Sequence, residues 1–98
     1  MKMSDIVNGA VERLNEKLAG SEFTGTAKFD ITGEGAIIVD GSGARAGDED
    51  TDVTLTADAD TFQSILAGET DPTGAFMTGK LTVDGDMAMA MQLAAALG

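Results

Sequence analysis

The side chains best suited to chemistry in this sequence are carboxylates, and their densest group is Asp48, Glu49, Asp50 and Asp52. Several oxygens in one short loop would suit a hard cation such as calcium, but an EF-hand loop continues to a glycine and then a distant glutamate. This run does neither, and reads as a solvated acidic loop. Just before it, Gly41-Ser42-Gly43-Ala44-Arg45-Ala46 matches the loose G-x-G-x-x-[GA] pattern. That pattern cradles a dinucleotide only where a helix opens directly from it. Gly47-Asp48-Glu49-Asp50 follows instead, with no apolar period for a helix and with charges that repel a pyrophosphate. The whole stretch is expected to be a long flexible connection between strands.

Other catalytic chemistries lack their residues. With no cysteine and no histidine there are no disulfides, thiol nucleophiles, usual zinc sites or His-dependent triads. Ser42 and Ser64 have no visible base beside them. The 17 acidic side chains fall in loops, at cap positions or on polar faces, and none sits in an apolar run that would raise its pKa. The expectation is a protein that is not an enzyme and uses no cofactor or metal. Six Lys and Arg against those 17 acids give a net charge of −11, and the six are scattered, so nucleic acid is excluded as a partner. The same field opposes docking on anionic headgroups.

What remains is apolar. Of six methionines, Met77, Met87, Met89 and Met91 all fall in residues 71–98. Unbranched and polarizable, methionine fills irregular gaps and adapts to guests of different shape. Two readings stay open at this point, an ordinary core and a deformable pocket.

The elements around these residues follow from periodicity and punctuation. Ser4 can cap a helix carrying Ile6, Val7, Ala10, Val11, Leu14 and Leu18 on one face, with Gly20 ending it. Residues 26–31 alternate, with Ala27, Phe29 and Ile31 on one side; residues 36–39 are apolar throughout, as in a central strand; in residues 52–57, Val53, Leu55 and Ala57 share a face. Thr32-Gly33-Glu34-Gly35 is short enough for a hairpin, making the first two strands antiparallel neighbours. Asp58 then caps a helix bearing Phe62, Ile65 and Leu66, closed by Gly68. Asp71-Pro72 starts a short helix through Ala75, Phe76 and Met77; these two helices form either a lid or a corner of the core. Leu81 and Val83 share the inner face of a fourth strand, Gly85 breaks it, and Asp86 caps the last helix.

From Met87 on, Gln92 is the one polar side chain. At about 100° per residue, Met87, Met91, Ala94 and Ala90 form one flank, Met89, Leu93 and Ala96 another, with Leu97 between them. That apolar arc is roughly twice the stripe of about 100° that a surface helix buries. One flank can pack on the sheet, and the other needs a further apolar partner.

The run Asp52-Val53-Thr54-Leu55-Thr56-Ala57-Asp58, then Phe62, Leu66-Ala67-Gly68, Asp71-Pro72, Ala75-Phe76-Met77, Gly79-Lys80-Leu81, Val83, Gly85-Asp86-Met87 and Met91-Gln92-Leu93 resembles a short, bacterial-type sterol carrier protein 2 domain. The resemblance covers essentially residues 1–98 as a single domain. It implies an α+β fold, a mainly antiparallel four- to five-stranded sheet with helices covering one face; the residues themselves yield four strands. It also implies an apolar tunnel between sheet and helices that holds a fatty acid, phospholipid or sterol-like molecule. Carried onto this chain, its wall positions are Phe62, Ile65, Phe76, Met77, Leu81, Val83, Met87, Met91 and Leu93.

The acidic surface is a poor match for acyl-CoA phosphates, which favours a neutral or single-carboxylate lipid. The competing reading is an interaction domain with a solid interior that homodimerises through Met89, Leu93 and Leu97. The start lacks the basic-then-apolar pattern of a signal peptide. The final apolar run falls short of the roughly 20 residues that span a bilayer. A cytoplasmic protein with no stable membrane insertion is therefore expected.

Overall fold

One register places every inward side chain of the sheet on the same face. In the computed structural model, which describes residues 5–19, 23 and 25–97 (Leu97 by backbone alone), β1 (Ala27–Thr32) pairs antiparallel with β2 (Gly35–Asp40), setting Phe29 opposite Ile37 and Ala27 opposite Val39. β4 (Val53–Asp58) runs parallel to β1, with Leu55 beside Phe29 and Ala57 beside Ile31. β5 (Leu81–Gly85) pairs antiparallel with β4, bringing Val83 to Leu55 and Leu81 to Ala57. Slipping any strand by one residue would turn its apolar set to the other face, so burial of this face holds the register.

A fifth strand corrects the reading of residues 41–46 as a flexible connection. β3 (Gly43–Ala46) pairs antiparallel with β2, and the sheet order is β3-β2-β1-β4-β5. The edge of β3 is closed by a side chain from α1 (Asp5–Leu18): Asn15 Nδ2 donates to the Ala44 carbonyl at 3.1 Å, and Ala44 N–H donates to Asn15 Oδ1 at 2.8 Å. An amide thus replaces a neighbouring strand on an otherwise unpaired edge. The turn into β3 is held by Asp40, which accepts from Ser42 Oγ at 2.6 Å, Ser42 N–H at 2.9 Å and Arg45 Nη1 at 2.7 Å.

The helices lie on the inner face. α1 packs on β2 and β3, α2 (Ala59–Leu66) on β1 and β4, α3 (Pro72–Met77) on β5, and α4 (Met87–Leu97) on β4 and β5. Val7, Ala10, Leu14 and Leu18 of α1 are buried, as their spacing requires, while Ser4 and Gly20 lie outside the described residues. The outer face is polar apart from Ala36 and Ile38, and Ile38 is buried because the loop after β3 folds across it. Gly47 N–H donates to the Ala36 carbonyl at 3.1 Å, and Lys28 pairs with Asp48 at 2.8 Å.

Two outcomes test these joints. Gly85 has φ of +115°, and an added Cβ there would collide with the Asp52 carbonyl oxygen. Gly85→Ala is expected to cost about 1–3 kcal/mol, seen as a lower melting temperature. At Asp40, the Ser42 hydroxyl, then Arg45, hold the carboxyl well below the usual carboxylate range. A depressed folded-state pKa contributes stability above the unfolded value of about 3.9 and loses it as pH falls further. Denaturant titrations below about pH 4 should show this loss in the parent protein, and Asp40→Asn should flatten that acid limb while lowering stability at neutral pH.

Candidate functional site

Three successive reversals of the chain build one apolar hollow. Asp71 caps α3 by accepting from Gly74 N–H at 3.3 Å, and Pro72 occupies the first turn where its missing donor costs nothing. The helix stops where Thr78 turns its hydroxyl back to the Gly74 and Ala75 carbonyls at 3.1 and 3.2 Å. Gly79, at φ +81°, and a bond from Lys80 N–H to the Ala75 carbonyl at 2.9 Å then send the chain into β5. Beyond Gly85, Asp86 Oδ1 accepts from Ala88 N–H at 2.9 Å and Met89 N–H at 3.3 Å, starting α4.

Between these elements lies a groove of about 240 Å³. Leu55, Leu81 and Val83 form its floor, Pro72, Thr73, Phe76 and Met77 one wall, and Met87, Ala90, Met91 and Ala94 the other. Thr73 is the only polar residue among them, and no ionisable side chain lines the space. The mouth is open to solvent: Met77 is 79% exposed and Met91 70%. A larger cleft of about 490 Å³ between α1 and α2 has Asp5, Arg13, Asp60, Gln63, Ser64 and Glu69 in its walls. Its charged rim suits water, and the smaller hollow is the one whose chemistry differs from ordinary surface.

Six of the nine expected wall residues meet in this groove: Phe76, Met77, Leu81, Val83, Met87 and Met91. The other three lie in the packed interior. Phe62 is 1% exposed with its ring 5.0 Å from that of Phe29, Ile65 is 2% exposed, and Leu93 is fully buried. α2 covers β1 and β4 away from the groove, which draws Phe62 and Ile65 into the core. Leu93 lies about 120° round α4 from Met87, at about 100° per residue, and that rotation points it inward.

The flank offered for dimerisation is likewise taken up within the chain. Met89 lodges where Gly25 lacks a side chain, since a Cβ there would strike its sulfur and methyl, and Leu93 is in the core; the Leu97 side chain lies outside the described residues. Leu55, Pro72, Thr73, Ala90 and Ala94 were absent from the expected wall. The two alanines share the helical flank of Met87 and Met91, and Leu55 stands opposite Val83 in the register, so periodicity carried a signal for these three.

The charges nearby serve structure. Asp58 caps α2 through Thr61 N–H at 2.8 Å, and the bonds from Thr61, with a smaller contribution from Lys80, hold its carboxyl below the usual range. Among the described residues, no group of three or more acidic side chains is arranged to hold a metal ion.

Fold and hollow together define an α+β domain with an apolar groove between the edge of a mixed five-stranded sheet and two helices. Residues 7–98 match the SCP-2 sterol transfer family, and the chain belongs to that family. Among relatives in sequence, hydroxysteroid dehydrogenase-like protein 2 of Xenopus laevis is 34% identical over 97 residues, covering 91% of this chain and 23% of that protein. The protein of the same name in Danio rerio is 35% identical over 77 residues, 70% of this chain and 19% of that one. The chain therefore spans less than a quarter of these dehydrogenase-like relatives.

Among solved structures, sterol carrier protein 2 of Aedes aegypti in complex with palmitate superposes with a TM-score of 0.79 at 20% identity, covering 98% of this chain and 97% of that one. The crystal structure of sterol carrier protein 2-like 2 from the same organism gives 0.77 at 22% identity over 92% and 94%. A ubiquinone synthesis protein, UbiJ-SCP2, gives 0.65 at 20% identity over 94% and 88%. At these identities the likeness establishes the shared fold.

Core and groove residues are expected to separate on truncation. Leu93→Ala should cost about 2–5 kcal/mol, whereas Met91→Ala should change stability by no more than about 0.5 kcal/mol; thermal or denaturant melts of the two variants read the difference.

Proposed function

We propose that the protein binds a lipid, non-catalytically, by taking its hydrocarbon chain into the groove between β5, α3 and α4, and that it can carry that lipid between sites. The observation that supports this most is the groove's lining, in which Thr73 is the only polar residue among eleven. Such a site offers dispersion and exclusion of water, which a methylene chain uses fully and a polar ligand cannot. Burial contributes about 0.8 kcal/mol per methylene, so about ten methylenes supply roughly 8 kcal/mol. That is enough to offset part of the association cost of about 4–15 kcal/mol.

The groove, at about 240 Å³, is smaller than the usual ligand pocket of about 300–1,000 Å³. A long chain therefore either leaves part of its length at the open mouth or widens the site. Widening falls to Met77, Met87 and Met91, whose unbranched side chains rearrange at little cost. The palmitate complex of the Aedes aegypti relative supports a fatty acid as the first ligand to try. No cation lines the groove to fix a headgroup, which supports a neutral or single-carboxylate lipid whose polar end stays in water.

A second reading rests on the exposure of Met77 and Met91, namely that this face is closed by another copy of the chain. Native mass spectrometry separates the two: a monomer with co-purified lipid supports the carrier, and a ligand-free dimer the alternative. For the carrier, Met91→Asp should abolish uptake of a fluorescent fatty acid from water, because ligand burial would strand a carboxylate in an apolar wall. Exposed Glu16→Gln should leave uptake unchanged. Undiminished uptake by a folded Met91→Asp protein would remove that wall from the site.

A further inference from the structure

We propose that the α3–α4 face docks reversibly, groove mouth first, on membranes with a neutral, zwitterionic surface, while the acidic remainder of the molecule keeps it off anionic ones. Phe76, Met77, Met87 and Met91, respectively 40%, 79%, 45% and 70% exposed, are the large apolar side chains left in water among the described residues. All four border the same groove. An exposed, contiguous apolar patch of this kind marks a contact surface.

The distribution of charge identifies the partner. Residues 72–79 and 87–98 contain no ionisable side chain at all, and the whole of residues 72–98 holds only Lys80, Asp84 and Asp86, net −1. Residues 1–71 hold five basic and fifteen acidic side chains, net −10. A face without charge therefore emerges from a strongly acidic body. A second copy would bring two bodies of net −11 together, and an anionic leaflet would repel one within a Debye length of about 8 Å. A zwitterionic surface imposes neither cost, and its interface accepts methionine and phenylalanine side chains.

Among the described residues no helix is long and apolar enough to cross a membrane, so the contact is peripheral. Because the groove opens on the docking face, a chain can pass between bilayer and protein without crossing water. That passage rests on the lipid-binding reading; the docking itself does not.

Ala88 and Ala95 allow the two to be tested apart. Both are exposed on the arc of α4 beside Met91, and neither lines the groove. Co-sedimentation with phosphatidylcholine vesicles should show binding by the parent protein. Adding phosphatidylserine should weaken binding by about tenfold at low salt, and raised salt should narrow that gap. The Ala88→Glu, Ala95→Glu double variant should lose about tenfold or more on phosphatidylcholine, because its carboxylates resist desolvation at the interface, and the Ala88→Lys, Ala95→Lys variant should come to prefer the phosphatidylserine mixture. Both should melt like the parent and take up fluorescent fatty acid from water unchanged.

Absence of parent binding to phosphatidylcholine, or tighter parent binding to the anionic mixture, would overturn the docking proposal even with fatty-acid uptake intact. So would a dimer in native mass spectrometry that the paired glutamates dissolve. Loss of uptake with vesicle binding retained would instead count against the groove as the ligand site.

Discussion

A helix with more apolar surface than its own domain can cover is the constraint on which this structure turns. α4 has Gln92 as its only polar side chain, and the sheet and α1 offer enough interior for one side of it. Leu93 and Ala90 take that interior, and Met89 fills the gap left at Gly25. The flank of Met87, Met91 and Ala94 is left facing α3 across a space that neither helix fills. Apolar side chains around this opening lack the partner atoms that close packing gives the interior.

The rest of the fold holds the groove's walls in place. β5 lies at one edge of the sheet, joined to β4 alone, and its far end is tied where Asp86 N–H donates to the Asp52 carbonyl at 3.1 Å. Asp52 in turn is clamped to the start of β1: its carboxylate accepts from Thr26 N–H and hydroxyl at 3.2 and 3.1 Å, and its own N–H donates to Thr26 Oγ1 at 3.0 Å. This reciprocal pair sets the parallel register of β1 and β4, which places Leu55 under the groove. A polar clamp at one end of the sheet thus positions an apolar floor several residues away.

Charge and hydrophobicity divide the surface between them. Among the described residues, acidic side chains occupy helix caps, the turns around β2, the loop over Ile38, the outer face of the sheet and the polar sides of α1 and α2, where water or hydrogen-bond donors satisfy them. None borders the groove floor. A negative charge thus surrounds most of the molecule, and the groove opens where its lining carries none.

Periodicity and punctuation determined most of this protein without reference to its coordinates. The Ala27-Phe29-Ile31 and Val53-Leu55-Ala57 alternations, the hairpin at Gly33-Glu34 and the caps Asp58, Asp71 and Asp86 are each set by a residue and its immediate neighbours, and all form where those neighbours require. The apolar arc on α4 was equally legible, because helical geometry is local. The tertiary structure decided what depends on partners distant in sequence. Gly43-Ala44-Arg45-Ala46 alternates over too few residues to mark a strand by itself, and becomes one because β2 lies on one side and Asn15, 29 residues from Ala44, closes the other. Which flank of α4 enters the core, and hence why Leu93 packs while Met91 lines a groove, was settled by rotation of that helix against Gly25 and the sheet. Periodicity defines two apolar flanks but not which of them meets protein, since that choice belongs to the surface they meet.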